Sequence, residues 1–444
     1  MLFFTLMIDI KFIRDDDKRK LVIKSEQDRF KPTDTVKLIY EADKEKKSKL
    51  YNLEQINKKY NALNKSNSEL FKSLNKKVEE LSIEETKKKI EENKDELQKI
   101  KEEKKMLEEE LIKLDLQIND NLKNIGNILN SRVPVSKTED DNGLIREFTP
   151  ETVNNGKLGF AEIIDKIEGA DMLRGAKITG HRGYYLMEEL ALLATALSKY
   201  AVDFLRAREY KLIQPPVMMY GSALKKTSQL SEFEDQLYNV GNEHYLVATS
   251  EQPISAFYMD ERLQPSELPK KFAGQSLCFR KEAGAHGKDN QGIFRVHQFE
   301  KIEQFVICAP NESETMFDTM VGIAEEFYKS LKLKFRVVSI VSGEMNDAAS
   351  LKYDLEAWFP NAGKFRELVS CSNCTDYQSR ELDIRYGLSK IKDDKVYVHM
   401  LNATLCAVQR TLCCIVENYQ DENGIVIPEA LRGYFGEERI NFKK

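Results

Sequence analysis

The chain is 444 residues long, 41% hydrophobic and 32% charged, with a formal net charge of −5. That length predicts two or three domains, and no apolar run approaches the roughly 18 residues that a membrane-spanning helix needs, so no membrane partner is expected. The acidic balance excludes a protein that coats nucleic acid by bulk charge, while leaving room for local basic surfaces. The apolar start, Met1 to Met7, is short, lacks a basic flank and runs into Asp9 and Asp15 to Asp17. A secretory signal or transit peptide is therefore not expected, and the expected location is cytoplasmic.

Residues 1–33 read as a small cap. Residues 34–130 then contain no Pro, Arg or Cys, and apolar side chains recur every seven residues. One row is Ile90, Leu97, Lys104, Leu111, Ile118 and Ile125, and the other is Asn93, Ile100, Leu107, Leu114, Asn121 and Ile128. The preceding stretch repeats the pattern at Leu53, Ile56, Tyr60, Leu63, Asn67, Leu70 and Leu74. This 3-4 alternation predicts two long helices folded back on each other as a coiled coil. Ser82 with Glu85 gives a capping-box start for the second helix, expected over about 83–129 and about 70 Å long at 1.5 Å per residue. Heptads alone leave open a reaching arm, a dimerisation device or a spacer. Charge favours contact with a polyanion on the first helix: residues 34–78 carry 11 Lys against 6 acids, and residues 79–130 carry 10 Lys against 15 acids.

Residues 131–180 are a transition segment marked by Pro134, Asn142-Gly143, Pro150, Gly156 and Gly159. From 181 to 444 the pattern mixes helices and strands. Glu188 to Tyr210 reads as an amphipathic helix stopped by Pro215-Pro216. Strand-like runs are Tyr245–Ala248, Gln275–Phe279, Lys301–Cys308, Phe335–Val341, Phe365–Val369 and Val396–Leu401. Their irregular separation predicts an α+β fold with a mainly antiparallel sheet flanked by helices. No glycine-rich phosphate loop is present, so a nucleotide would be held by side chains. The seven cysteines all lie between Cys278 and Cys414. Cys371 and Cys374 form a CxxC, but nothing completes four zinc ligands, so buried thiols are the reading preferred.

Two runs carry the chemistry. Phe279-Arg280-Lys281-Glu282, a loop with Gly284, Gly287 and Gly292, and then Arg295, Phe299 and Glu303 spaced by four resemble motif 2 of class II aminoacyl-tRNA synthetases. Leu401 to Arg410 resembles motif 3, and the helix from Glu188 resembles motif 1. Thr249-Ser250-Glu251 and Glu367-Leu368-Val369-Ser370 resemble the serine loop and the metal and ATP strand of seryl-tRNA synthetases, and the wording of Leu401–Thr404 and Phe365–Gln378 is closer to their eukaryotic cytosolic branch than to the bacterial one. The fold implied is an antiparallel class II catalytic domain at 181–444 behind an N-terminal tRNA-binding domain, 1–130, whose hairpin arm spans about 34–130.

The resemblance implies an ATP-dependent enzyme that makes seryl-adenylate and charges tRNA(Ser), with tRNA(Sec) open as a second acceptor. Arg280 would bridge the α-phosphate and the serine carboxylate. Arg295 and Arg410 would hold the β- and γ-phosphates. Glu282 would read the adenine amino group and Phe299 would stack on the ring, with Lys281, Val296, Leu368 and Val369 completing the ATP site. Glu367 and Ser370 would coordinate Mg²⁺. Thr249 and Glu251 would hold the serine ammonium, with Ser250 in the same serine site, and Glu303, with Thr404 and Asn402 nearby, would bind its hydroxyl. The hairpin would grip the long variable arm of the tRNA, and motif 1 would form a homodimer. Arginine suits the phosphate roles because it is permanently charged and bidentate.

Overall fold

The computed structural model describes residues 8–74, 80–153, 156–227, 236–282, 292–387 and 395–443, apart from the side chains of 74 and 80–82. Gly284 and Gly287 of the expected glycine loop lie outside these residues, as does the Ser82 side chain. The chain divides into two compact units, one of residues 9–23 and 32–125, the other including 24–31 and 126–443.

The first unit is helical. Short helix α1 (Ile10–Arg14) and the start of α2 (Asp16–Asp28), whose residues from Lys24 on belong to the second unit, precede α3 (Asp34–Leu74) and α4 (Glu80–Leu122). The partners Lys49–Glu110 at 2.8 Å and Lys59–Glu96 at 2.7 Å run in opposite order along the two helices, so α3 and α4 are antiparallel. Ile90, Ile100, Leu111, Leu114, Ile118 and Ile125 are buried, as the heptad rows predict. Within the seam the Asn93 amide donates to Asn67 Oδ1 at 2.7 Å. A buried polar pair of this kind fixes register, because any slip leaves both amides unsatisfied. The helix α4 is already formed at Glu80 and ends at Leu122, short of the expected 129. The backbone turns there, with Asn124 N–H and Ile125 N–H bonding back three residues ahead of Gly126.

The second unit is built on an eight-stranded sheet. In chain order its strands are β1 (Gly143–Phe148), β2 (Lys211–Ile213), β3 (Lys270–Phe279), β4 (Gln298–Cys308), β5 (Phe335–Ser339), β6 (Leu351–Phe359), β7 (Lys364–Asn373) and β8 (His399–Ala407). The spatial order is β1-β5-β6-β7-β8-β4-β3-β2, antiparallel throughout except for the β2–β3 edge pair. Helices α5 (Glu188–Arg206), α7 (Ser313–Ser330) and α8 (Val408–Asn418) bury apolar stripes in its main core, with Leu193, Leu197, Phe317, Phe327, Leu412 and Val416 fully enclosed. The short helix α6 (Glu251–Ser255) packs in a second cluster through Ile254. Three bulges break the ladder, at Leu144/Arg146 between β1 and β5, at Ile302/Glu303 between β4 and β8 and at Leu355/Glu356 between β6 and β7; the last two lie at the site. All seven cysteines, including Cys371 and Cys374, are buried free thiols.

Candidate active site

The middle strands β4, β8 and β7 form the floor of a cleft. Its lining includes Arg280, Glu282, Arg295, Val296, Phe299, Glu367, Leu368, Ser370, Thr404 and Arg410, so ten of the residues singled out in the sequence converge there. Alternation explains part of this. Phe299, Lys301 and Glu303 fall on one face of β4, and Asn402 and Thr404 on one face of β8.

The bulges explain the rest. Glu367 and Ser370 are three apart and would face opposite ways on a regular strand. Opposite β6, Val369 pairs with Leu355 and Glu367 with Glu356, so Leu368 is an extra residue that returns both polar side chains to the cleft. On the other pair, Ile302 faces Cys406 and Glu303 faces Thr404, which leaves Leu405 as the extra residue.

At one end of the cleft the strand β3 stops at Phe279, so Arg280 and Glu282 are carried on irregular backbone. The Arg280 N–H still bonds His297 O at 2.9 Å, but the Lys281 N–H turns to Gln236 O at 2.8 Å. Lys281 does not line the cleft. The Arg280 guanidinium lies 5.2 Å from the centre of the Phe299 ring and donates to Ala248 O at 3.3 Å. Glu282 takes the Nε–H of Arg295. Arg410, at the start of α8, stands 3.6 Å from Glu367. Three guanidinium groups thus face one cleft with an aromatic ring in its wall, a setting for a polyphosphate with a planar base.

At the other end a buried polar cluster surrounds Glu303. Thr249 Oγ1 donates to its carboxylate at 2.7 Å, the Glu251 N–H at 3.1 Å, and Ser250 Oγ and Lys301 Nζ also bond it. Four donors fill the acceptor sites of one carboxylate. Burial pushes the Glu303 carboxyl up, but Lys301 and the two hydroxyls outweigh it and hold it below the ordinary value. The contact is close because Gly274 sits opposite Glu303: a Cβ there would meet Ser250 Oγ at 2.8 Å and Ile254 at 2.5 Å. Glu251 behaves oppositely. Burial and the neighbouring Glu303 push it up to about 7, although Gln378 donates to it at 2.8 Å. Asn402 lies two residues from Thr404 and donates to Cys374 Sγ at 3.7 Å. Thr249 to Glu251, Glu303 and Asn402 are not part of the cleft lining; Thr249 and Glu303 join it through Lys301, which lines the cleft and donates to Thr249 Oγ1 at 3.0 Å. Val369, on β7, is buried in the main core and does not line the cleft.

Sequence reasoning missed Lys301, Gln409 and Gln378. Lys301 was readable, since it lies between Phe299 and Glu303 at the strand period of two. Gln409, which accepts the Glu300 N–H at 2.9 Å and lines the cleft, and Gln378 depend on tertiary placement. Among the described residues no cluster of three His, Cys, Asp or Glu side chains forms a metal cage. Glu367 and Ser370 offer two hard oxygen donors on one face, which fits Mg²⁺, an ion that keeps several waters and shares phosphate oxygens.

Residues 232–419 match the family model described as tRNA synthetase class II core domain (G, H, P, S and T). The chain is 58% identical over 323 residues to the serine–tRNA ligase of Encephalitozoon cuniculi, covering 72% of this chain and 75% of that protein. The structure of cytoplasmic serine–tRNA ligase from Naegleria fowleri in complex with AMP superposes with TM-score 0.89 at 40% identity, covering 98% of this chain and 99% of that one. That of seryl-tRNA synthetase from Pyrococcus horikoshii complexed with ATP superposes with TM-score 0.90 at 34% identity, over 98% and 100%.

Proposed function

The chain belongs to the serine–tRNA ligases, enzymes that activate serine with ATP and pass it to tRNA, and we propose the following division of that work among its residues. The serine carboxylate attacks the α-phosphorus of ATP, diphosphate leaves, and the 3′-terminal hydroxyl of the tRNA then takes the seryl group and releases AMP. No protein nucleophile is needed, so catalysis is positioning and charge stabilisation.

Arg280 holds the α-phosphate and the serine carboxylate, and its stacking on Phe299 pre-sets the guanidinium. Phe299 and Glu282 take the adenine, with Val296, Leu368 and the main chain of Lys281 around it. Arg295 and Arg410 take the distal phosphates. Glu367 and Ser370 would hold Mg²⁺, which when bound neutralises phosphate charge. Glu303 takes the serine hydroxyl with Thr404 and Asn402. Thr249, Ser250 and Glu251 take the ammonium, so the Thr249 hydroxyl moves from Glu303 when serine arrives. The observation that carries this reading is the buried, cation-held Glu303 beside a cleft lined by Arg280, Arg295 and Arg410. Alanine would leave that carboxylate without its hydroxyl partner, which such a site rejects strongly.

The N-terminal region to about residue 130 is the tRNA-binding part and 181–444 the catalytic part, with 131–180 between them. The α3–α4 arm contacts tRNA(Ser), a homodimer forms through the α5 region, and the enzyme works in the cytoplasm. A tRNA(Sec) would draw on the same serine step, so parallel charging assays separate the two acceptors. The Arg280→Ala variant is the test of the site. It is expected to lose about 10²–10³-fold or more in serine-dependent ATP–pyrophosphate exchange while keeping the wild-type melting temperature. Near-normal exchange would remove Arg280 from the α-phosphate.

A further inference from the structure

Arg182 lies outside every motif of the chain, in the turn between the helix Met172–Thr179 and α5, yet its side chain is only 5% exposed. A buried guanidinium is costly without partners. Here Nη1 donates to the main-chain carbonyl of Glu282 at 3.0 Å and stands 3.8 Å from Glu282 Oε2. The Glu282 backbone has φ 51°, a left-handed conformation that a non-glycine residue keeps only when its surroundings hold it.

Two cations therefore share one carboxylate, and they differ in access. Arg295 is 39% exposed and lines the cleft. Arg182 is buried and does not line it. A triphosphate carries more charge than a carboxylate and competes for Arg295. The Glu282 carboxylate, 7% exposed, cannot then be left without a cation. We infer that Arg182 is the positioning residue that keeps Glu282 in its adenine-reading conformation when the triphosphate draws Arg295 away. This rests on the roles proposed above for Glu282 and Arg295.

The test compares Arg182→Ala, Arg182→Lys and Glu282→Ala in serine-dependent ATP–pyrophosphate exchange. The nucleotides are ATP and purine riboside triphosphate, which lacks the 6-amino group. In Arg182→Ala the KM for ATP is expected to rise about tenfold or more with the serine KM held within about twofold, the loss of a charge-assisted hydrogen bond. Its preference for ATP over the analogue falls toward that of Glu282→Ala, and Arg182→Lys recovers part of it. If the alanine variant does not fold, Arg182→Lys carries the same measurement, with a smaller rise confined to ATP. Equal rises in both KM values overturn the inference, as does a wild-type preference in Arg182→Ala where Glu282→Ala has lost it. A wild-type preference in Glu282→Ala itself removes the adenine reading of Glu282, and the inference with it.

Discussion

Glu251 and Glu303 are buried carboxyls in one pocket whose surroundings drive them apart. Lys301 pairs directly with Glu303 and keeps it low, whereas burial and the Glu303 charge raise Glu251 to about 7 against the Gln378 amide and the more distant Lys301 and Arg280. A raised carboxyl is neutral in acid and ionises as pH rises through that value. The serine ammonium gains only from the ionised form, so serine affinity is expected to strengthen with pH. With a pKa near 7 the ionised fraction changes about tenfold between pH 6 and pH 8, and the KM for serine should fall by that factor while the KM for ATP stays flat. Glu251→Gln should abolish the slope. A serine KM equal at both pH values would take Glu251 out of the ammonium site. The residue types at this pocket were legible in Thr249, Glu251 and Glu303. The opposite ionisation of the two acids was not, because it depends on which of them Lys301 reaches in space.

Among the secondary elements, α3 and α4 were the most legible, since a seven-residue period is local and needs no tertiary knowledge. The same period exposes a second row. Lys37, Lys44, Tyr51, Lys58, Lys65 and Lys72 are spaced by seven and all exposed on α3. None of these five lysines makes an ion pair among the described residues, while Lys46, Lys49 and Lys59 are tied to acids of α4. The pairing explains how a helical pair with balanced charge can still present a positive track. Replacing Lys44, Lys58, Lys65 and Lys72 together by Gln should leave pyrophosphate exchange unchanged and raise the tRNA KM in charging. The salt dependence of tRNA binding should flatten by about 0.7–0.9 log units per decade for each phosphate that the variant no longer neutralises. Unchanged charging would turn the arm into a spacer. The strands were less legible. Their existence follows from apolar runs, but the bulges that bring Glu367 together with Ser370, and Glu303 opposite Thr404, come from strand pairings that no single strand encodes.

At the scale of the whole molecule, the catalytic unit shows large apolar side chains to solvent near α5: Tyr185 is 45%, Leu192 60% and Leu277 41% exposed. Tyr185 and Leu277 border one groove that also includes Phe279, the last residue of β3 before Arg280. Apolar surface grouped in this way marks an interaction face. A two-fold contact would cover the same patch on both copies. The face is also wired to the cleft. From α5, Ser198 Oγ donates to Glu300 Oε1 at 2.7 Å, Gln275 donates to the same oxygen at 2.9 Å, and the Glu300 N–H holds Gln409 in the cleft wall. Sedimentation of the wild-type chain is expected to give a dimer, and Leu192→Asp combined with Leu277→Asp a folded monomer. Because the covered face braces β3, β4 and Gln409, the monomer should lose exchange activity as well as charging. A wild-type monomer at micromolar concentration would overturn the dimer. A monomeric variant with full exchange would separate the dimer from catalysis and leave the hydrogen-bond chain through Glu300 as a feature of one subunit alone.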